Sequence, residues 1–471
     1  MGSGQVTDWQ GKHVTVAGLG VSGVPAAKVL RGLGAEVTVV NDGDDDRARA
    51  QAEELRELGV TVRLGDGATL PEGTGLVVTA PGWQPDKPLF TAARAAGVEI
   101  WGDVELAWRL RGPDAPPWLC VTGTNGKTTT TQMLASILTA AGLRTAAVGN
   151  IGVSLLDAVN GDYDVLAVEL SSYQLHWAPS LRAHSAAVLN LAPDHLDWHG
   201  SMEAYAADKG RVYEGNRVAC VYNAADKATE DLVREADVEE GCRAIGFTLG
   251  TPGPSQLGVV EGILVDRAFV ENRQQNAQEL AEVSDVNPPA PHNIANALAA
   301  AALARAYGVP AKAVRDGLRA FTPDAHRIAH VADVAGVSYV DDSKATNTHA
   351  AQASLAAYES VVWIAGGLAK GAAFDELVAG SAERLRGVVL FGADRALIRE
   401  ALARHAPQVP VVDLDRTDTG AMLQAVREAQ RLAAAGDTVL LAPACASMDM
   451  FTNYNQRGDA FAQAVRELAG T

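Results

Sequence analysis

The chain has 471 residues, 48% of them hydrophobic and 20% charged; this composition is typical of globular proteins, and the length predicts about three domains. Its 39 basic and 57 acidic side chains give a net charge of -18, which argues against general binding to nucleic acids or anionic membranes. The four cysteines have no C-x-x-C spacing, the start lacks the plan of a secretion signal, and no apolar run is long enough to cross a bilayer, so we expect a cytoplasmic protein.

The first predicted unit is a strand, a glycine turn, a helix and a strand between His13 and Asp42. Its turn, from Gly18 to Gly23, has the spacing G-x-G-x-x-G, and Asp42 follows about 20 residues later, as in dinucleotide-binding folds. The cluster is equally compatible with a nicotinamide site and with a Rossmann-like domain that binds another diphosphate.

A proline-rich segment from Arg111 to Pro117 predicts the first linker. It precedes a strand at Leu119 to Thr122 and a helix that begins near Thr128. The general P-loop pattern requires glycine where Val121 stands. The shorter sequence GTNGKT nevertheless predicts a phosphate site, in which Lys127 reaches the β and γ oxygens and Thr128 offers a hydroxyl to Mg²⁺.

Acidic and basic residues follow the next predicted strands of the same sheet. Glu169 ends the apolar strand Val165 to Val168 and is a candidate metal ligand. His195 follows the strand Ala186 to Leu189 at the same edge as the phosphate loop. His199 lies in the same short polar span, where a lone histidine is more often an ordinary surface or core residue.

The remaining sequence predicts an alanine-rich helix at Asn293 to Tyr307 and a second linker at Ala320 to Arg327. Asn293 and Asn296 share one face of that helix. Beyond the linker, strands alternate with helices, and Lys344 and Lys370 lie in strand-end loops. Lysines at such ends of a parallel sheet indicate a site for anionic groups.

Together these motifs resemble the Mur ligase family of ATP-dependent amide ligases, and the resemblance covers nearly the whole chain. It rests on the sequences GLGVSG, GTNGKTT, VELSSYQL, NLAPDHLDWHGS, YAADK, PHNIANALAA, DDSKATN, GGLAKG and PACASMDMFTNYNQRG. The short phosphate loop matches this family's own version. Within the family, the pattern is most similar to the members that add D-glutamate to UDP-N-acetylmuramoyl-L-alanine.

The resemblance implies an α/β fold of three domains: a Rossmann-like N-terminal domain, a P-loop ATPase-like central parallel sheet and a Rossmann-like C-terminal domain. These would bind the UDP-sugar (1-112), ATP (113-321) and the amino acid (322-471). It also implies an acyl-phosphate intermediate, ATP and two Mg²⁺ ions as cofactors, a monomer, and a role in cytoplasmic peptidoglycan precursor synthesis.

The resemblance assigns residues to four roles. The catalytic residues would be Lys127, Glu169, His195, Lys209 and Lys344. ATP would contact Gly123, Thr124, Asn125, Gly126, Lys127, Thr128, Thr129, Asn293, Asn296, Arg327 and Asp342. The UDP-sugar would contact Ser22, Asp42 and Asn150, and D-glutamate would contact Thr346, Lys370, Ser447 and Tyr454. Metal ions would be held by Thr128, Glu169, His195 and a carbamylated Lys209.

Three departures and three alternatives accompany this interpretation. Gly43 and Asp44 follow Asp42 where relatives often have a hydroxyl and a basic residue, Ala80 replaces a frequent serine, and Tyr454 replaces a frequent phenylalanine. The nearest alternative is another member of the family that adds L-alanine, a diamino acid, a dipeptide or a folate glutamate. The others are an NAD-dependent oxidoreductase with an added phosphate loop and a motor or switch NTPase.

Overall fold

The computed structural model describes residues 8–323, 325–416, 418 and 420–470. The chain divides into two compact units, one of residues 1–286 and 293–321 and the other of residues 287–292 and 322–471. The first unit contains two β-sheets and the second contains one. Within the described helices, none has both the length and the apolar character that crossing a membrane requires.

The first sheet is parallel and has the strand order β3-β2-β1-β4-β5. Its strands are β1 (His13–Ala17), β2 (Glu36–Asn41), β3 (Thr61–Leu64), β4 (Leu76–Thr79) and β5 (Glu99–Gly102). The accompanying helices are α1 (Gly23–Gly32), α2 (Asp46–Glu57), α3 (Pro88–Ala95) and α4 (Asp103–Arg109). The glycine turn connects β1 to α1, as the sequence predicts.

The central sheet has the order β14-β13-β12-β11-β10-β9-β6-β8-β7. Its strands are β6 (Trp118–Thr122), β7 (Ala147–Gly149), β8 (Leu166–Glu169), β9 (Ser185–Val188), β10 (Ala219–Asn223), β11 (Arg243–Phe247), β12 (Gln256–Val260), β13 (Ile263–Asp266) and β14 (Gln278–Glu282). Its helices are α5 (Lys127–Ala140), α6 (Leu155–Ala158), α7 (Ser172–His176), α8 (Leu196–His199), α9 (Met202–Gly210), α10 (Lys227–Glu235), α11 (Pro291–Ala306) and α12 (Ala311–Ala320).

Buried strands at the middle of this sheet carry the site. Every residue of β6, β8 and β9 is buried, as expected where helices cover both faces of a parallel sheet. Ten residues of the alanine-rich helix α11 are buried as well, because a helix that is apolar all round packs inside the protein. Antiparallel β12, β13 and β14 extend one edge of the sheet, which the sequence reading does not include.

The second unit has a sheet of order β15-β16-β20-β17-β18-β19. Its strands are β15 (Ala329–Val334), β16 (Val337–Asp341), β17 (Val361–Gly366), β18 (Leu385–Phe391), β19 (Val411–Asp413) and β20 (Thr438–Leu441). Its helices are α13 (Thr348–Ala356), α14 (Asp375–Ser381), α15 (Arg395–His405), α16 (Ala421–Leu432) and α17 (Tyr454–Ala469). Apart from the antiparallel β15, the sheet is parallel.

The predicted fold class is confirmed, since all three sheets are built mainly from parallel strands connected by helices. The predicted boundary near residue 112 falls between α4 and β6, and the boundary near residue 321 falls between α12 and β15. The division into three domains with these limits stays a prediction.

Candidate functional site

The predicted phosphate loop connects β6 to α5 at the carboxyl edge of the central sheet. Gly126 directly precedes α5 and has a φ of 84°, a conformation that glycine adopts much more readily than other residues. A Cβ atom at this position would also collide with Oδ1 of Asn296 on α11. Glycine therefore permits both the turn and the close approach of Asn296, and the first N–H groups of α5 lie at the end of a helix that favours anions.

The loop after β9 fixes the conformation of the phosphate loop. Asn190 accepts a hydrogen bond at Oδ1 from the backbone N–H of Asn125 at 2.9 Å, and its Nδ2 donates to the carbonyl of Asn125 at 3.1 Å. Oγ1 of Thr124 lies 3.1 Å from the carbonyl of Ala192 and 3.0 Å from the hydroxyl of Tyr205. These hydrogen bonds fix the conformation of the phosphate loop against the loop after β9 and α9.

Two lysines converge on one carbonyl oxygen of the loop. Nζ of Lys127 donates to the carbonyls of Gly123 and Thr124, each at 2.9 Å. Nζ of Lys209, whose residue is only 2% exposed, donates to the same Gly123 oxygen at 2.9 Å. Burial, followed by the charge of Lys127, holds the pKa of Lys209 well below its ordinary value. A lowered pKa favours the neutral amine, which is a nucleophile rather than a cation.

Glu169 ends β8 and is 1% exposed. Its Oε1 accepts a hydrogen bond from Nδ2 of Asn150 at 2.9 Å, whereas its buried Oε2 has no hydrogen-bond partner among the described residues. A buried carboxylate oxygen without a partner is costly. A divalent cation bound by this oxygen would supply the missing partner. Glu169 therefore fits the metal-binding role that the sequence predicts.

His195 lies directly before α8, with a φ of 54° and a side chain that is 41% exposed. Burial lowers its pKa, the Asp194 carboxylate opposes this effect, and the charges of Lys127 and Lys209 reinforce it. The neutral imidazole is the form that binds metals. In the part of the chain that the structure describes, no three His, Cys, Asp or Glu side chains form a metal-binding group by themselves.

A buried carboxylate joins the helix that carries Lys209 to its surroundings. Asp208 is hydrogen-bonded to Nδ1 of His176 at 2.9 Å and to Nδ1 of His199 at 3.0 Å. The other ring nitrogen of His199 lies 3.0 Å from Oγ of Ser172, so His199 is a buried structural residue. Burial alone would raise the pKa of Asp208, but the hydrogen bonds from both histidines lower it to about 2.

Asp208→Asn is expected to lower the free energy of unfolding of the full chain by about 2.5 kcal/mol at pH 7, because the folded structure holds the pKa of this carboxyl well below its ordinary value. Because the pKa of Asp208 in the folded state lies below that in the unfolded state, this contribution is present above pH 4 and is lost as the pH falls toward 2. Urea denaturation at several pH values measures the difference between the two proteins. Asp231→Asn is the control, since Asp231 forms only surface ion pairs with Lys227 and Arg234; an equal loss in both variants would contradict the prediction.

The residues predicted to contact a UDP-sugar lie in two places, at the first sheet and beside Glu169 of the central sheet. Ser22 lies at the glycine turn and donates to Oδ2 of the buried Asp103 at 2.9 Å. Asp42 follows β2 and forms an ion pair of 2.5 Å with Lys87. Lys87 thus supplies a positive charge near Asp42, where Gly43 and Asp44 replace the hydroxyl and basic residues that relatives often have. Asn150, by contrast, is engaged with Glu169.

The two asparagines of α11 lie next to each other. Nδ2 of Asn296 donates to Oδ1 of Asn293 at 3.4 Å, and both residues are less than 10% exposed. The proximity of Asn296 to Gly126 places this pair beside the phosphate loop. The structure therefore brings together the predicted nucleotide residues of the first unit.

Arg327, Asp342 and Lys344, also predicted to lie near the nucleotide, belong to the second unit. Burial raises the pKa of Asp342 to about 6, although a hydrogen bond from Ser354 opposes the shift. Nζ of Lys344 lies 3.9 Å from the centroid of the Tyr454 ring. This contact gives the tyrosine side chain a partner in addition to the backbone role predicted for Tyr454.

Of the four residues predicted to bind the amino acid, three lie in loops at one edge of the third sheet, and Tyr454 is the first residue of α17. Thr346 follows β16, Lys370 follows β17, and Ser447 and Tyr454 follow β20. Two backbone hydrogen bonds of 2.9 Å join Leu368 to Ala446 and hold the β17 and β20 loops together. The N–H of Ala444 donates to the carbonyl of Ala345 at 2.9 Å, which joins the β16 loop to the same group.

Arg457 is a residue of this region that the sequence reading misses. It is completely buried, and its guanidinium donates to Oγ and the carbonyl of Ser343 and to the carbonyl of Cys445. Oγ of Ser343 in turn donates to the carbonyl of Tyr454 at 2.7 Å. Arg457 therefore braces the loops that carry the predicted amino-acid site. Arg457 lies four and eight residues before the buried Phe461 and Val465, and this helical spacing indicates from the sequence that it faces the core.

Comparison with protein families gives three matches. Residues 121–304 match the Mur ligase middle domain, and residues 326–445 match the Mur ligase glutamate ligase domain. Residues 13–79 match the pyridine nucleotide-disulphide oxidoreductase model, which covers the strand and glycine turn of the first sheet. The phosphate loop and the residues Arg327, Asp342, Lys344, Thr346 and Lys370 thus fall within Mur ligase domains, whereas Ser447 and Tyr454 lie just beyond the second match.

The chain is similar along almost its whole length to proteins named UDP-N-acetylmuramoylalanine–D-glutamate ligase. The protein of Streptomyces avermitilis is 86% identical over 465 residues, covering 98% of this chain and 100% of the relative. That of Streptomyces coelicolor is 87% identical, covering 98% and 99%. That of Thermobifida fusca is 61% identical, again covering 98% and 99%.

Solved structures of low sequence identity have the same fold. UDP-N-acetylmuramate-alanine ligase from Thermotoga maritima has a TM-score of 0.56 at 17% identity and covers 97% of this chain and 99% of its own. The MurF structure from Acinetobacter baumannii has a TM-score of 0.58 at 16% identity and covers 91% and 90%. With the domain matches and the whole-chain relatives, these findings show that the chain belongs to the Mur ligase family, in the group of UDP-N-acetylmuramoylalanine–D-glutamate ligases.

Proposed function

We propose that this chain is an ATP-dependent ligase that joins D-glutamate to UDP-N-acetylmuramoyl-L-alanine in cytoplasmic peptidoglycan precursor synthesis and acts as a monomer. The convergence of Lys127 and Lys209 on the Gly123 carbonyl is the observation that carries the proposal. It sets a cationic side chain and a buried amine of lowered pKa beside the phosphate loop. The names of the whole-chain relatives support the substrates.

In the proposed reaction, a carboxylate oxygen of the UDP-sugar substrate attacks the γ-phosphorus of ATP, and ADP leaves. The product is an acyl phosphate. The amine of D-glutamate then attacks the acyl carbon, loses a proton and displaces inorganic phosphate. Such phosphoryl transfer depends on positioning and on cations that stabilise charge on the transferred group.

Residues of the central sheet would act on the phosphates. Backbone N–H groups of Gly123 to Thr129 would hold them, and Lys127 would turn from the loop carbonyls to the transferred group. Thr128 and Glu169 would hold one Mg²⁺, and His195 with Lys209 would hold a second. The ions would neutralise phosphate charge, and the unpartnered Oε2 of Glu169 supports this role.

Lys209 would serve as a ligand after carbamylation. Its neutral amine would attack carbon dioxide, form an N–C bond and release a proton, which converts the side chain into a carboxylate on a long arm. A protonated amine would repel Mg²⁺ instead. The burial of Lys209 and the lowered pKa support the neutral form.

The remaining predicted residues would bind the other groups. Asn293, Asn296, Arg327 and Asp342 would contact adenine and ribose, and Lys344 would lie near the phosphates. Ser22 and Asp42, with the cation Lys87, would contact the UDP portion, and Asn150 would face the substrate while it holds Glu169. Thr346 and Lys370 would bind one carboxylate of D-glutamate, and Ser447 with the backbone of Tyr454 would bind the other. The three proposed domains are 1–112, 113–321 and 322–471.

Phosphate release by the purified chain tests the proposal. With ATP, Mg²⁺ and UDP-N-acetylmuramoyl-L-alanine, we expect ADP and a new amide product together, and D-glutamate to be preferred over L-glutamate, L-alanine and diaminopimelate. A preference for another amino acid would contradict the specific substrate. ATP turnover without any amide product would favour a motor or switch NTPase, and hydride transfer would favour an oxidoreductase.

A further inference from the structure

A cavity lies in the first unit, away from the phosphate loop. Its volume is about 420 Å³, and its walls include Trp108, Arg111, Pro117, Arg182, His184 and Arg217. This volume falls within the range of small-molecule sites in proteins. No residue of the predicted or proposed catalytic site lines it.

The cavity lies at the opposite edge of the central sheet from the phosphate loop. Pro117 directly precedes β6 and His184 directly precedes β9, whereas the phosphate loop and the Asn190 loop follow the other ends of these strands. The two strands are parallel neighbours. A strand of five residues such as β6 spans about 17 Å, so a ligand here occupies a site of its own.

Three arginines line this cavity without a carboxylate partner. Among the described residues, none of Arg111, Arg182 and Arg217 forms an ion pair, and no acidic side chain lines the cavity. The guanidinium of Arg111 donates only to the carbonyls of Ala115 and Pro116, and that of Arg182 only to carbonyls of the main chain. This is unexpected in a chain with 57 acidic and 39 basic side chains.

The positive charges of the arginines in this cavity repel one another. Burial, followed by the charge of Arg217, lowers the pKa of Arg111 to about 10. Arg111 is held in place by the Trp108 ring, whose centroid lies 4.1 Å from the guanidinium carbon, and its buried Nε has no hydrogen-bond partner among the described residues. An anion in the cavity would relieve the repulsion and could accept several charge-assisted hydrogen bonds.

We infer that this cavity binds a small phosphate-bearing anion, with Arg111, Arg182 and Arg217 as its ligands. Phosphate is favoured because guanidinium groups match its oxygens in geometry and charge. Trp108 and Pro117 add an apolar wall suited to an organic body attached to the phosphate. This site is independent of the proposed ligase activity, and its occupation would tie the segment of Arg111 and Pro117 to the residues before β9 and β10.

Calorimetric titration of the full chain with inorganic pyrophosphate tests the inference. The parent protein carries Lys127→Ala, which weakens binding at the phosphate loop. Arg182→Gln with Arg217→Gln removes two exposed ligands of the cavity. The matched control is Arg47→Gln with Arg427→Gln, which changes the net charge equally at two exposed arginines without an ion pair in the described structure.

We expect the cavity variant to bind pyrophosphate at least about tenfold more weakly than the parent and the control, since each lost charged hydrogen bond costs enough to change affinity by that factor. Pyrophosphate should also raise the melting temperature of the parent and the control more than that of the cavity variant. The same arginine variants, made in the chain that retains Lys127, provide a second comparison of pyrophosphate affinity. Equal affinities in the cavity variant and the control, or no binding by the parent, would overturn the inference.

Discussion

Replacing Lys209 with alanine is expected to reduce ligase turnover by at least about 1000-fold, and a short free carboxylate such as formate or acetate is expected to restore part of it. The reason is the role proposed for the side chain. A carbamylated lysine supplies a carboxylate to a metal ion, and the space left by alanine admits a small molecule that carries the same group. Steady-state turnover with increasing formate measures the recovery.

Lys127→Ala provides the control for this rescue. Lys127 and Lys209 donate to the same carbonyl oxygen, that of Gly123, so the two variants remove cationic or amine groups from nearly the same place. Lys127 is proposed to act as a cation, and a free carboxylate cannot replace it. Recovery in neither variant would leave Lys209 with a cationic or structural role only, whereas recovery in both would indicate a general salt effect.

Much of the candidate site could be predicted because parallel strands end at a common edge of their sheet. The apolar runs that form β6, β8 and β9 are unambiguous; Glu169 ends β8, whereas Lys127 follows β6 and His195 follows β9. In the structure, the charges of Lys127 and Glu169 both act on the pKa of Lys209, the first lowering it and the second raising it. Neighbouring strands with polar ends thus identify the site before its side-chain contacts are known.

Other features depend on contacts between residues far apart in sequence. Asp208 and Arg457 are charged residues on helices, and their hydrogen-bond partners His176 and Cys445 come from other segments. The arginine cavity unites Arg111, which the sequence assigns to a linker, with Arg217, more than a hundred residues later. Such clusters have no local pattern, because long-range packing alone brings their members together.

Glu169→Gln is expected to lower turnover by about 100- to 1000-fold and to raise the Mg²⁺ concentration needed for half-maximal rate. Glutamine preserves the size of the side chain and the hydrogen bond that Oε1 accepts from Asn150. It replaces the unpartnered Oε2 with an amide NH₂, which cannot bind a cation. Turnover measured across a Mg²⁺ titration reports both effects.

Stability separates this functional role from a structural one. Because Oε2 of Glu169 is buried without a partner, removing the charge should leave the melting temperature unchanged or higher. Glu105→Gln is the matched control: Glu105 is equally buried, but its two oxygens accept hydrogen bonds from Arg109 and from the N–H of Ser180. The control should lose stability while its Mg²⁺ dependence is retained. If Glu169→Gln instead loses as much stability as Glu105→Gln and keeps its turnover, the carboxylate supports the fold and does not hold the metal.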